Sequence, residues 1–424
     1  MNTQKEFLTI KTAYYMLRKL LAIWSACLLL ATGFTACNKG DTFTLPAPKP
    51  VNEEIPDDDD NGGGGGSGGG GGNTGTLCSD IGQTPIILAY YTENSSALPD
   101  VTLLTHINYA HGRFKNPTTG DGGIVISGTS LMKKVIALKS VNPRLKVMLM
   151  IGGWGIKADG FSMMARDADK RTEFCQSVKS LLDEYGLDGV DIDWEYPTYS
   201  AEGTGASAAD KGNFNLVLKE LRETLGNSKI ISFASSASAK YVDWPTAIQY
   251  IDYVNVMTYD MGAAPNGHNS PLYRSAKFNQ RSCDESIQLH VDAGIPLNRM
   301  NLGVPFYGKA EKNPANKVYE YEVNYNEMYD ILHNNWYKKR SLDVTGKNNR
   351  AWDDVAKVPF LTDNLGYNLL SYDDPESVGW KGKYVVEKKL LGAMFWEYRH
   401  DDDKQSLLKA LVSAVYGKTS VLED

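Results

Sequence analysis

From residue 85 onward, apolar positions fall into short runs rich in β-branched and aromatic residues, separated by longer stretches with helical spacing. The runs Ile86–Tyr91, Leu103–Ala110, Leu145–Ile151 and Leu187–Tyr196 predict strands. Ile230–Ala234, Tyr253–Asp260, Met300–Phe306 and Leu391–Glu397 continue the series. Between them Ser130–Ser140, Lys170–Tyr185, Lys211–Leu225 and Ser282–Ala293 predict helices. Gly186 stops the second of these, and Asn142-Pro143 closes the first. Strands alternating with helices form parallel β-α-β units, and eight of them imply an α/β fold closed into a (β/α)8 barrel. The gap between the seventh and eighth strands is too long for one crossover. Residues 309–370 carry Tyr319, Tyr321, Tyr325, Tyr329, Trp336 and Tyr337, with alternation near Val318–Val323. They predict a small α+β insertion beside the barrel mouth; the alternative is a long decorated loop.

The pattern changes upstream. Arg18 and Lys19 precede an apolar stretch from Leu20 to Phe34, which runs into Thr35-Ala36-Cys37. Charge, apolar segment and small residues in that order predict an export signal over residues 1–37. The stretch falls short of the roughly 18–20 apolar residues of a membrane span. Small residues directly before a cysteine are similar to a lipoprotein processing site, with Cys37 lipidated; Phe34 stands where Leu is usual. The alternative is an ordinary export signal and an incidental Cys37. Residues 38–79 predict a disordered tether. Pro46, Pro48, Pro50 and Pro56 stiffen its first part, Asp57–Asp60 form an acidic run, and Gly62–Gly72, broken by Ser67, a flexible coil. Such composition buries too little apolar surface to fold. Some 40 residues of coil would reach roughly 35 Å. The barrel is expected over residues 80–418.

Charge and cysteine content narrow the classes. There are 44 Lys and Arg against 51 Asp and Glu, a net charge of −7, with no basic block to meet nucleic acid. Outside the leader, Cys78, Cys175 and Cys283 form neither a disulfide framework nor a zinc pattern.

Candidate chemistry concentrates in the fourth strand, Asp188-Gly189-Val190-Asp191-Ile192-Asp193-Trp194-Glu195-Tyr196-Pro197. A two-residue period turns Val190, Ile192 and Trp194 toward the helices, and Asp191, Asp193 and Glu195 into the barrel. Burying three carboxylates costs several kcal/mol unless they are paired or neutralised. Like charges this close push at least one pKa upward. The last of the three lies at the strand's C-terminal end, where barrel enzymes keep their active sites. A metal site is the rival reading, but none of the six His sits at ligand spacing near this strand.

This segment resembles glycoside hydrolase family 18, whose Asp-x-x-Asp-x-Asp-x-Glu signature is matched by Asp188, Asp191, Asp193 and Glu195. The resemblance runs over residues 85–415. Leu149-Met150-Ile151-Gly152-Gly153-Trp154 looks like the third-strand motif, with Met150 where Ser is commoner. Met257-Thr258-Tyr259-Asp260, Gly303–Gly308 and Phe395-Trp396-Glu397 resemble the motifs of strands six, seven and eight. The resemblance implies a chitinase that cuts β-1,4-linked N-acetylglucosamine with retention, the substrate's own N-acetyl oxygen attacking the anomeric carbon. Glu195 would be the acid and base, Asp193 and Tyr259 would hold the acetamido group, and Asp191 would support Asp193. Asp188 is expected to be structural. Trp396 would floor the sugar site, Met257, Asp260 and Tyr307 would line it, and Trp154 and Tyr90 would flank it. For the aromatics, barrel core is the alternative role.

Two departures bear on sugar contacts. Lys309 stands where many relatives carry Arg, keeping the charge without the planar fork. The segment Met261–Gly267 lacks a Trp that many members carry. Within the class, an endo-β-N-acetylglucosaminidase acting on the N-glycan core is the alternative; Trp194, Tyr196, Pro197 and the insertion favour chitin. An inactive lectin-like relative would usually lose the acid or the preceding aspartate, and both are present. The expected partner is chitin or its oligosaccharides. No cofactor, metal or nucleic acid is implied, the chain is expected to be monomeric, and a membrane is met only through the N-terminal anchor. The localisation expected is export, anchored at the outer membrane or cell surface.

Overall fold

The structure, a computed structural model, describes residues 85–200, 204–310, 322–328, 350–362, 366 and 368–423. The leader, Cys37, the tether, Cys78 and most of the aromatic insertion segment lie outside these residues. Chain order runs β1 (Ile86–Thr92), β2 (His106–Asn116), β3 (Asp121–Ile126), α1 (Thr129–Ala137), β4 (Lys146–Gly153), α2 (Phe161–Ala165), α3 (Ala168–Tyr185) and β5 (Gly189–Trp194). Then come α4 (Asp210–Leu225), β6 (Ile230–Ser236), α5 (Trp244–Ala247), β7 (Tyr253–Met257), α6 (Cys283–Asp292) and β8 (Met300–Pro305). After β9 (Tyr307–Ala310), β10 (Glu322–Asn324), β11 (Arg350–Asp353), β12 (Val358–Thr362) and β13 (Asn368–Ser371), the chain ends with α7 (Pro375–Glu387), β14 (Gly392–Trp396) and α8 (Ser406–Tyr416).

Eight of these strands, β1, β2, β4, β5, β6, β7, β8 and β14, pair in parallel, and β1 bonds to both β2 and β14. The barrel is therefore closed, and its eight strands are the eight expected. Strand alternation divides the apolar residues between two cores. In β1, Ile87, Ala89 and Tyr91 face the helices, while Ile86, Leu88 and Tyr90 fill the barrel lumen. In β5, Val190, Ile192 and Trp194 join the helix-facing core, with Trp194 stacked on Phe161 at 5.3 Å.

Capping explains the helix limits. Asp167 accepts from the Asp169 and Lys170 amides to start α3, and Gly186 ends it at φ 67°. Ser282 and Glu285 form a reciprocal capping box at the start of α6.

Two features around the second barrel strand differ from expectation. The second strand begins at His106, not Leu103, and runs on to Asn116, where it meets β3 antiparallel. β3 was hidden by Gly122 and Gly123, poor strand formers. Gly122 is required by close approach: a Cβ there would stand 2.2 Å from the Phe174 amide nitrogen of α3. Between β8 and β14, strands β9 to β13 form a separate five-stranded antiparallel sheet, in the order β10-β9-β13-β12-β11.

Cys175 and Cys283 are buried free thiols. Burial pushes the Cys175 thiol up to about 12 and also raises Cys283.

Candidate active site

The barrel brings the three carboxylates of the fourth barrel strand, β5, into one row. Asp191 is deepest and fully buried. It accepts from Tyr90 Oη (2.8 Å), Ser232 Oγ (2.5 Å) and Asn255 Nδ2 (3.0 Å). Burial raises its pKa to about 6, although these donors pull it down. Asp193, next along the row, is 4% exposed, and its Oδ1 has no hydrogen-bond partner among the described residues. Burial first, then the charges of Glu195 and Asp191, push it well above the ordinary carboxylate range. Glu195 is half-buried at the rim, its pKa raised to about 7, chiefly by burial. Asp188 stands apart from the row: it accepts from the Val147 amide at 2.6 Å and pairs with Lys139 at 2.5 Å, tying β5 to its neighbours.

Backbone room for the row comes from β4. Gly152 has φ 106°, and a Cβ there would meet the Asp193 carbonyl oxygen at 2.1 Å. Only glycine supplies both the conformation and the approach.

The other expected residues surround the row. Met257, Tyr259, Tyr307 and Tyr90 belong to the luminal core, with Trp396 and Tyr196 packed on it. Burial and the nearby carboxylates raise Tyr259 far above its ordinary value, so it stays a hydroxyl donor. Its ring meets Tyr307 edge-on at 6.0 Å. Asp260 has a left-handed φ of 58°, a conformation aspartate tolerates better than most residues. Tyr307 Oη donates to Asp260 Oδ1 at 2.7 Å, and Lys309 pairs with the same oxygen at 2.6 Å. Lys309, 5% exposed, thus holds Asp260. Tyr90 is 2% exposed with its hydroxyl on Asp191. Trp396 is half-buried, its ring 5.6 Å from that of Tyr90. Trp154 is 47% exposed and meets Tyr196 edge-on at 6.4 Å.

Sequence reasoning missed several neighbours. Tyr241 stacks on Tyr196 at 4.7 Å with rings 3° apart, and exposed Tyr199 lies 5.9 Å from Tyr241. With Trp154 they make a run of aromatic faces beside Glu195; nothing in their spacing marks Tyr199 or Tyr241. Ser232 and Asn255 could have been found, because polar side chains at inward positions of apolar strands call for a partner. Lys157, whose charge acts on both Asp193 and Glu195, follows β4 with no recognisable pattern.

A closed eight-stranded α/β barrel with a buried carboxylate row opening at the C-terminal end of one strand defines a barrel-enzyme type of site. The comparisons give the family. The family model for glycosyl hydrolases family 18 matches residues 86–401, and the chain belongs to that family. It is 36% identical over 310 residues to chitinase A1 of Niallia circulans, covering 64% of this chain and 43% of that protein. To chitinase B of Serratia marcescens it is 28% identical over 389 residues, covering 73% of this chain and 75% of the relative. Among solved structures, a family 18 N-acetylglucosaminidase from Paenibacillus barengoltzii superposes with a TM-score of 0.65 at 31% identity, over 78% of this chain and 99% of that one.

Proposed function

We propose that the protein is a chitinase, hydrolysing β-1,4-linked N-acetylglucosamine chains by a substrate-assisted, retaining mechanism. The observation that carries this reading is the graded row: Asp191 fully bonded, Asp193 with an unpartnered buried oxygen, and Glu195 at the rim with a pKa near 7. Glu195 holds the proton that the leaving glycosidic oxygen needs. As the C1–O bond breaks, the acetamido carbonyl oxygen bonds to C1 and gives an oxazolinium ion. Asp193 Oδ1 accepts the acetamido N–H, and the Tyr259 hydroxyl steadies the same group. Water then adds at C1 on the face the aglycone left, Glu195 takes its proton, and the β configuration returns. Trp396 offers a flat apolar face to the C–H side of the ring. The names of the relatives support chitin-type substrates, and the run from Trp154 to Tyr199 supports a chain longer than one sugar.

On the same footing, residues 1–37 would export the chain, Cys37 would carry its lipid, and the sheet of β9 to β13 would form one wall of the groove.

The test is hydrolysis of chitin oligosaccharides by the full chain beside Glu195→Gln, with products and anomers resolved. The amide keeps the shape but holds no transferable proton, so a loss of roughly 10²–10⁴-fold is expected. Products in the β configuration, absent from the variant, are the supporting result. Cleavage of a high-mannose glycopeptide in place of chitin oligosaccharides would move the reading to the N-glycan core, and α-anomer products would remove the mechanism.

A further inference from the structure

The C-terminal part of β2 carries a buried imidazole that the mechanism above does not use. His111 is 2% exposed, and its Nδ1 lies 2.9 Å from Glu93 Oε2. Arg113 donates to the other carboxylate oxygen, Oε1, at 2.9 Å. A carboxylate held by a guanidinium only accepts, so the bond to Glu93 keeps the ring proton on Nδ1. Burial, and then the cation of Lys157, lower the imidazole's pKa against the pull of Glu93, which favours the neutral ring. The far nitrogen, Nε2, is thereby a lone-pair acceptor. It is buried and has no hydrogen-bond partner among the described residues, a costly state for a polar atom.

The ring lies beside two features of the site. The imidazole centroid lies 6.4 Å from that of Trp396, and its Cδ2 edge stands 3.6 Å from the Cβ position of Gly153. Trp396 and the Gly152-Gly153 pair both border the carboxylate row. An acceptor beside an aromatic floor suits a hydroxyl on the rim of a sugar ring. In a β-1,4-linked N-acetylglucosamine unit, C1 and C4 are in linkages and C2 carries the acetamido group. The 3- and 6-hydroxyls are therefore the donors left.

We infer that His111 is a substrate-binding residue whose Nε2 accepts a hydrogen bond from the 3- or 6-hydroxyl of the sugar seated against Trp396, with Glu93 fixing the tautomer. The inference rests on the chitinase reading and adds a selectivity: sugars alkylated or deoxygenated at that one hydroxyl are rejected.

The experiment compares the full chain with His111→Phe and His111→Gln on triacetylchitotriose and on analogues lacking the 3- or the 6-hydroxyl. The native chain should lose about tenfold or more in kcat/KM on one analogue. His111→Phe should lose a similar factor on the natural trimer and nothing further on that analogue. His111→Gln, whose amide oxygen can accept, should recover part of the loss and carries the comparison if the Phe variant does not fold. Equal sensitivity of native and variant chains to both deoxygenations would overturn the inference alone. A native chain that neither binds nor cleaves the natural trimer would overturn the chitinase reading and this inference with it.

Discussion

Two groups of buried carboxylates sit a few residues from Tyr259 and are handled in opposite ways. Behind the barrel wall, Asp373 meets Lys381 Nζ through both oxygens at 2.7 Å, with Ser377 Oγ also at 2.7 Å. Burial pushes the Asp373 carboxyl up while Lys381 pulls it down, and the two short contacts are those of an ionised pair. Lys381 also donates to Ser270 Oγ, which donates to the Thr258 carbonyl at 2.6 Å. The pair therefore braces the segment carrying Tyr259. In the lumen, Asp191, Asp193 and Glu195 receive no such cation among the described residues; Lys157 and Lys309 act on Glu195 only through their field. The first arrangement holds a proton off permanently. The second leaves three sites poised to share one, and that lability is what acid–base chemistry requires.

The largest effect that separates the two is on folding. Lys381→Met leaves the Asp373 carboxylate buried without its cation, which should cost about 3–5 kcal/mol. Denaturant titration reads it directly, and activity should fall with it as Thr258 loses its brace. Lys381→Met combined with Asp373→Leu should recover much of the stability, because an apolar pair of similar volume can replace a buried ion pair. A single variant as stable as the native chain would show that Asp373 is already neutral, and the contrast would collapse.

The same contrast explains what could be read in advance. The eight barrel strands were legible as short apolar runs alternating with helical stretches, and the acidic row because a period of two turns Asp191, Asp193 and Glu195 to one face. Tyr90 was legible as a site residue, and Ser232 and Asn255 as inward polar positions in need of a partner, but their convergence on Asp191 was not, since barrel register sets it from other strands. His111 was hidden for another reason: a lone histidine at the end of a predicted strand reads as core, and only the Glu93 bond and the vacant Nε2 give it a role. Lys309 was legible as a substitution, but its grip on Asp260 was not, because β9 forms only once the chain has left the barrel.

A smaller effect concerns pH. The ordinary values are 3.8 for Asp191 and 4.5 for Glu195, and the fold raises them to about 6 and about 7. Asp193 moves in the same direction. Folded protein thus binds more protons than unfolded protein across that window, so the row's contribution to stability falls as pH rises from about 4 to about 7. Asp193→Asn removes one such group at little change in volume. Its melting temperature should match the native chain near pH 4 and exceed it by roughly 2–4 °C at pH 7.5, about 1 kcal/mol for a domain of this size. On the proposed mechanism activity should fall meanwhile, because the acetamido N–H would lose its carboxylate. An advantage independent of pH would mean that packing, not charge, sets it. Activity of the native chain should itself decline as pH rises through about 7, when Glu195 gives up its proton.

The smallest effect lies at the edge of the comparison, where the row meets solvent. Trp154, Tyr196, Tyr241 and Tyr199 present faces outward from Glu195, and Trp154 is nearly half exposed. Tyr196 hydrogen-bonds Glu195 and so belongs partly to the row, whereas Trp154 touches Tyr196 through its ring alone. On the proposed function the work of Trp154 is confined to holding sugar. Trp154→Ala should leave the pH profile and the melting temperature almost unchanged, since an exposed ring contributes little to the core. Its cost should fall on KM, by about three- to tenfold, the worth of one aromatic face. That cost should grow from dimer to hexamer as more of the chain reaches the run. A loss in kcat of the same size on every chain length would instead make Trp154 part of the reacting pocket, and the boundary between the poised row and its binding rim would have to be redrawn one residue farther out.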